Sequence, residues 1–242
     1  MKAGVLLVSL LAVAAAEAAQ RQKTEKPPEK LAAEMLDALG GKAFLNVHDI
    51  QTSGRYFNFD GGSVTGGDVF AGYIRLPNEE RMEIGSPKYR TITINSGNAG
   101  WTIDGNGAAE QGSDQIESFT ASFLTSFQYV TRFVLNDSDA TLQTLPTETV
   151  DAKRAEVLEI RDASKNRIRF YIDQETHLPL KMQVRFSGDT LVRDEVFANW
   201  HPFAGVMTPL FVARYRDGVR TMETRIEGVR YNTNLADNLF AP

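Results

Sequence analysis

Between residues 155 and 232 apolar and polar side chains alternate through six runs broken only by short turns. Leu180, Met182, Val184 and Phe186 alternate with Lys181, Gln183 and Arg185, and Ile168, Phe170 and Ile172 alternate with Arg167, Arg169 and Tyr171. A period of two places one set on a single face of an antiparallel ladder. The chain must therefore cover a broad oily sheet face or line it with something else. The runs read as strands over 155–161, 167–173, 180–186, 191–199, 207–215 and 219–230. The last slips phase from Met222, Thr224 and Ile226 to Val229 and Tyr231, which predicts a bulge near Gly228.

Upstream, strands are expected over 51–59, 69–76, 81–84, 89–95 and 100–103, with a short one at 141–145 and a strong turn at Asp104-Gly105-Asn106-Gly107. Two segments break the pattern. Over 29–39, Leu31, Met35 and Leu39 recur every four residues, with Ala32 and Leu36 beside them, until Gly40-Gly41 stops the helix. Over 113–134, Ile116, Phe119, Phe123, Phe127 and Val130 fall at spacings of three and four, on a helix that Ser113 or Asp114 could cap. Thr120, Thr125 and Thr131 lower its intrinsic propensity, so its stability must come from burying the aromatic stripe. A doubly wound parallel sheet would need many more helices. The expected class is α+β: a large curved antiparallel sheet of about eleven strands forming an incomplete barrel, with two helices covering the concave face.

Residues 1–19 carry the marks of a secretory signal: Lys2, an apolar stretch from Val5 to Ala16, and Ala16-Glu17-Ala18 ahead of cleavage. Export to the periplasm or beyond is the expectation. Residues 20–30, with Pro27-Pro28, read as a polar tether entering the first helix, and 31–242 as a single domain. No later segment reaches 18 continuous apolar residues, so no integral membrane segment is expected in the mature chain. There is no cysteine, which excludes disulfides, thiolate metal sites and a lipid-modified cysteine. A net charge of -5 and a pI near 5.3 argue against a nucleic-acid surface.

No catalytic group, metal site or cofactor emerges. His48, His177 and His201 form no short ligand spacing. Asp60-Gly61-Gly62 and Gly66-Gly67-Asp68 lack the lysine-serine or lysine-threonine pair of a phosphate loop and read as hairpin turns. Asp194 and Glu195 fall on opposite faces of their strand, and whichever points inward needs a partner. Apolar ligand binding asks for less: side chains converging on a concavity under a cover. The candidate lining is Ile74, Leu76, Ile92, Ile94, Ile168, Phe170, Ile172, Leu180, Met182, Val184 and Phe186. The candidate cover is the face bearing Phe119, Phe123 and Phe127. Each could equally be plain core.

Four stretches resemble the periplasmic lipoprotein-carrier superfamily, which includes the lipoprotein localisation factors of Gram-negative envelopes. They are Gly72-Tyr73-Ile74-Arg75-Leu76-Pro77 leading to Arg81, residues 98–104 with Trp101, residues 170–179, and the ending at 235–240. The resemblance implies an incomplete barrel closed by helices and able to hold acyl chains. In the lipoprotein chaperone an arginine stands immediately before the proline and helps hold the lid closed. Here Leu76 takes that place and Arg75 comes one residue earlier, pointing to the opposite face. The implied function is carriage of a lipid, lipoprotein acyl chains or another apolar ligand. An envelope module with a filled core and a protein partner is the alternative, and a secreted hydrolase a third.

Overall fold

Two antiparallel meanders meet where the first strand lies beside the last. The computed structural model describes residues 26–242; the expected signal segment and the start of the tether lie outside them. The first meander comprises β1 (Asp49–Asp60), β2 (Ser63–Arg75), β3 (Glu79–Ile84), β4 (Thr91–Ser96), β5 (Ala99–Asp104) and β6 (Gly107–Glu110). The second comprises β7 (Thr141–Val150), β8 (Lys153–Arg161), β9 (Arg167–Asp173), β10 (Pro179–Arg185), β11 (Arg193–Phe203), β12 (Val206–Arg216) and β13 (Val219–Tyr231). Pairing of β1 with β13 joins them into one thirteen-stranded sheet, ordered β6-β5-β4-β3-β2-β1-β13-β12-β11-β10-β9-β8-β7. The sheet is not closed: β6 and β7 are its free edges, and the segment between them must travel from one edge to the other.

The sheet has thirteen strands where about eleven are expected; β6 lies outside every expected run, and β7 extends the short strand expected at 141–145. β6 reads Gly-Ala-Ala-Glu and is exposed throughout, so it has no alternating pattern to betray it. β7 runs ten residues rather than five and carries Pro146, tolerated because an edge strand has one unpaired side; its register against β8 shifts there. The slip beside Gly228 is present: Ser53 pairs with Gly228 but Gly54 with Ile226, leaving Glu227 as the extra residue.

The first helix, α1 (Pro28–Ala38), starts one residue before the expected position and buries Leu31, Ala32 and Met35 against the sheet. Gly40 ends it at φ +124°, where a Cβ would stand 2.2 Å from the Gly205 carbonyl oxygen. The Met207 amide donates to the Leu39 carbonyl at 2.9 Å, so the helix end is tied to the β11–β12 hairpin. A short helical turn, α2 (Lys42–Leu45), then buries Phe44.

The edge-to-edge segment is two helices rather than one: α3 (Ser113–Leu124) and α4 (Phe127–Arg132). Thr125 turns its hydroxyl back to the Ala121 carbonyl at 2.8 Å, and Ser126, extended at ψ 155°, caps α4 by accepting from the Tyr129 amide. Side-chain competition for the backbone breaks the run where the spacing alone predicts continuity. Gly112, not Ser113 or Asp114, is the N-cap of α3, and its amide donates to the Gln115 side chain.

The main core lies on the concave face of β8 to β11 under α1, α2 and α4. Ile160, Ile168, Phe170 and Ile172 are fully buried there with Leu31, Met35, Leu39 and Val130. A second cluster lies on the opposite, convex face, where the C-terminal turn Asp237–Phe240 covers Ile94 with Leu235 and Phe240. A third, also convex, holds Ala155, Val157 and Tyr171.

Candidate functional site

Strand register decides which side chains reach the concavity. Phe170 pairs with Met182, Met182 with Glu195, Glu195 with Arg214 and Arg214 with Met222, so these share the inner face. Above them α3 crosses with Phe119 and Phe123, whose ring centroids are 5.4 Å apart. Between helix and sheet lies a hollow of about 610 Å3, within the size range of small-molecule sites.

Its two sides differ in chemistry. Phe119, Phe123, Met182, Val184 and Phe186 form an apolar wall on α3, β10 and the residue that follows β10. Asn58, Glu80, Arg214, Thr221 and Met222 form a mostly polar wall contributed by β1, β3, β12 and β13, which face β10 across the curve of the sheet. The inward member of the Asp194–Glu195 pair is Glu195, which accepts from Arg214 Nε at 2.7 Å, while Asp194 accepts from Gln183 at 2.9 Å. Arg214 keeps 52% of its side chain accessible although it points under a helix, as a residue facing open space must. Arg193, Arg216 and Phe186 stand where β10, β11 and β12 end, and Arg193 lies 4.3 Å from the Phe186 ring centre.

Glu80 sits at the other end. It is opposite Ile74, which packs on the main core, and opposite Asn95, 3% exposed. Burial pushes its carboxyl above the usual carboxylate range, with the Arg214 charge opposing. Among the described residues it has no ion-pair partner within 4.0 Å. A lone glutamate in the Glu79-Glu80 pair gives no sequence signal; only register shows that Glu79 goes outward to Arg75 while Glu80 goes in.

The candidate lining divides accordingly. Phe119, Phe123, Met182, Val184 and Phe186 meet at the hollow, where Met182 and Val184 are also members of the main core and Phe186 packs against it. Ile74, Ile168, Phe170 and Ile172 are on the inner face but belong to the packed core. Phe127 also belongs there, among Phe44, Phe170, Phe197 and Trp200, because the break at Thr125 and Ser126 turns α4 away from the line of α3. Leu76 lies in the turn after β2, half-buried. Three positions face the wrong way. Ile92 and Ile94 pack on the convex face under Leu235 and Phe240, since Ile94 pairs with Arg81 and Arg81 with Tyr73, the row opposite to Ile74. Leu180 packs with Ala155, Val157 and Tyr171, because a register shift between Pro179 and Lys181 takes it out of phase with Met182. Arg75 also points convexly, 4.7 Å from the Phe240 ring centre and 2.6 Å from Asp237.

Away from the hollow, donor atoms of Glu34, Glu156 and His177 lie within 4.8 Å of one another. Lys26 pairs with two of them, with ammonium contacts of 2.5 Å to Glu34 and 2.9 Å to Glu156, and so links the start of α1 to β8.

No protein-family profile and no curated protein match this sequence. Solved structures do. A Vibrio parahaemolyticus domain that carries an outer membrane lipoprotein-sorting designation is 12% identical, with 88% of this chain and 95% of that one aligned and a TM-score of 0.59. A DUF1329 family protein from Desulfovibrio piger is 16% identical over 88% and 95%, with a TM-score of 0.60. A LolA superfamily protein from Nitrosomonas europaea is 13% identical over 87% and 97%, with a TM-score of 0.56. At these identities the likeness concerns backbone architecture, which this chain shares with the three: a large curved antiparallel sheet, open along one side, with helices over its concave face.

Proposed function

We propose that this protein binds a lipid, lipoprotein acyl chains or another apolar ligand in the hollow under α3 and carries it without chemical change. The observation that carries this reading is the hollow itself, about 610 Å3 with Phe119 and Phe123 facing Met182, Val184 and Phe186. A methylene chain laid against that wall gains about 0.8 kcal/mol per buried CH2 with no catalytic group required. The fold shared with a lipoprotein-sorting domain and a LolA superfamily protein supports the reading, and the signal-like residues 1–19 support an exported, periplasmic setting in which residues 31–242 act as one domain.

Native mass spectrometry of protein purified without detergent, followed by organic extraction, tests it. The expected result is a bound mass in the lipid range and uptake of a fluorescent fatty-acyl probe by the extracted protein. A protein that is empty as purified and takes up no such probe would end the carrier reading.

A further inference from the structure

The polar wall of the hollow carries a carboxylate with no cation paired to it among the described residues. Glu80 lines the hollow half-buried, and no basic nitrogen of the described residues lies within 4.0 Å of it. Arg214, a positive charge on the same wall, is already engaged by Glu195 at 2.7 Å. Arg193 is engaged by Asp189 at 3.1 Å. Beside Glu80 on the neighbouring strand, Asn95 Oδ1 is buried with no hydrogen-bond partner. Glu80 and Asn95 thus place two side-chain acceptors on adjacent strands of the inner face, one half-buried on the hollow's polar wall and the other buried without a donor, and buried acceptors are ordinarily satisfied.

We propose that the ligand is an amphiphile with a protonated amine head, whose ammonium is received by Glu80 while its chain lies along Phe119, Phe123 and the β10 side chains. This rests on the hollow being a ligand site, as proposed above. An anionic head would instead have to displace Glu195 from Arg214 or Asp189 from Arg193, or use Arg216, which is exposed at the end of β12. A charge at Arg216 is screened by water, whereas Glu80 is half-buried and has no ion pair to give up.

Decylamine, decanol and decanoate, used below their micelle-forming concentrations near neutral pH, separate the two ideas because they share a chain and differ in the head. With the wild-type protein, decylamine is expected to bind about tenfold or more tighter than decanoate, and Glu80→Gln to reduce that ratio to about twofold. Glu80→Met is the second variant should the first fold poorly, and Glu110→Gln, an exposed carboxylate on β6, controls for net charge and should leave the ratio alone. If decanol binds but the wild type does not prefer the amine, or keeps its preference without Glu80, the head-group assignment fails and the carrier reading stands. If none of the three binds, both fail.

Discussion

The Arg132 guanidinium lies 3.8 Å from the centre of the Phe44 ring, fastening α4 to α2 inside the main core. The residue is 7% exposed, Nη1 donates to the Gln128 carbonyl and side chain, and Nε and Nη2 are buried without partners. Desolvation lowers its pKa to about 10, with Tyr231 opposing. The cation over the ring is favourable, yet two unsatisfied donors on a buried charge offset it.

Arg132→Met is therefore expected to leave stability unchanged or raise it by about 1 to 2 kcal/mol, since methionine keeps the packing over Phe44 and removes the charge. Arg132→Ala is expected to cost about 2 to 4 kcal/mol through the cavity it opens. With a folded-state value depressed to about 10, the charge burden is present throughout the range below it, so the methionine variant's gain should not vary between about pH 6 and pH 8. Urea unfolding at several pH values measures this, and a methionine variant weaker than the alanine one would contradict it.

Asp49 makes acid the weak point of the C-terminal segment. Burial alone would raise this carboxyl, but hydrogen bonds from the Thr233 amide and hydroxyl and from the Asn234 and Leu235 amides hold it below the usual value of 3.8. A depressed folded-state pKa contributes stability that is present above the unfolded value and lost as pH falls through the folded one. Asp49→Ala should cost about 3 kcal/mol at neutral pH by orphaning those donors, and the gap to wild type should narrow as pH drops below 3.8. Hydrogen exchange should show residues 233–240 opening in the variant; unchanged protection there would count against this role.

Gly40→Ala should cost about 3 kcal/mol or more, because the residue combines a positive φ with contact against the Gly205 carbonyl. Thermal unfolding reads the loss, and a shift of only a degree or two would mean that the α1 end can move away from the hairpin.

The helix break separates binding from stability. Phe119, half-buried on α3, serves the hollow, whereas Phe127 is 6% exposed in the core. Phe119→Asp is expected to weaken fatty-acyl probe binding about tenfold or more with little change in stability, and Phe127→Ala to lose about 3 to 5 kcal/mol. Equal stability losses in the two variants would show that α3 is core as well.

Alternation in β9 and β10 is enough to read the sheet, and spacings of three and four over 29–39 and 113–134 the segments that cover it, because both periods are local properties of the backbone. The same local rule placed Phe170, Met182 and Val184 correctly on the inner face. It failed at Leu180, where one register shift inverts the facing, and at Ile92 and Ile94, where both sheet faces are apolar because the C-terminal turn covers the outer one. Thr125 and Ser126 divided a helix whose aromatic spacing never falters. Periodicity reports that a side chain needs cover; it carries no information on which distant segment supplies it. Glu80, Arg214 and Phe119 stand around one hollow only because the curve of thirteen strands brings β3, β12 and α3 together, and that curvature belongs to the assembled sheet and to no single stretch of the chain.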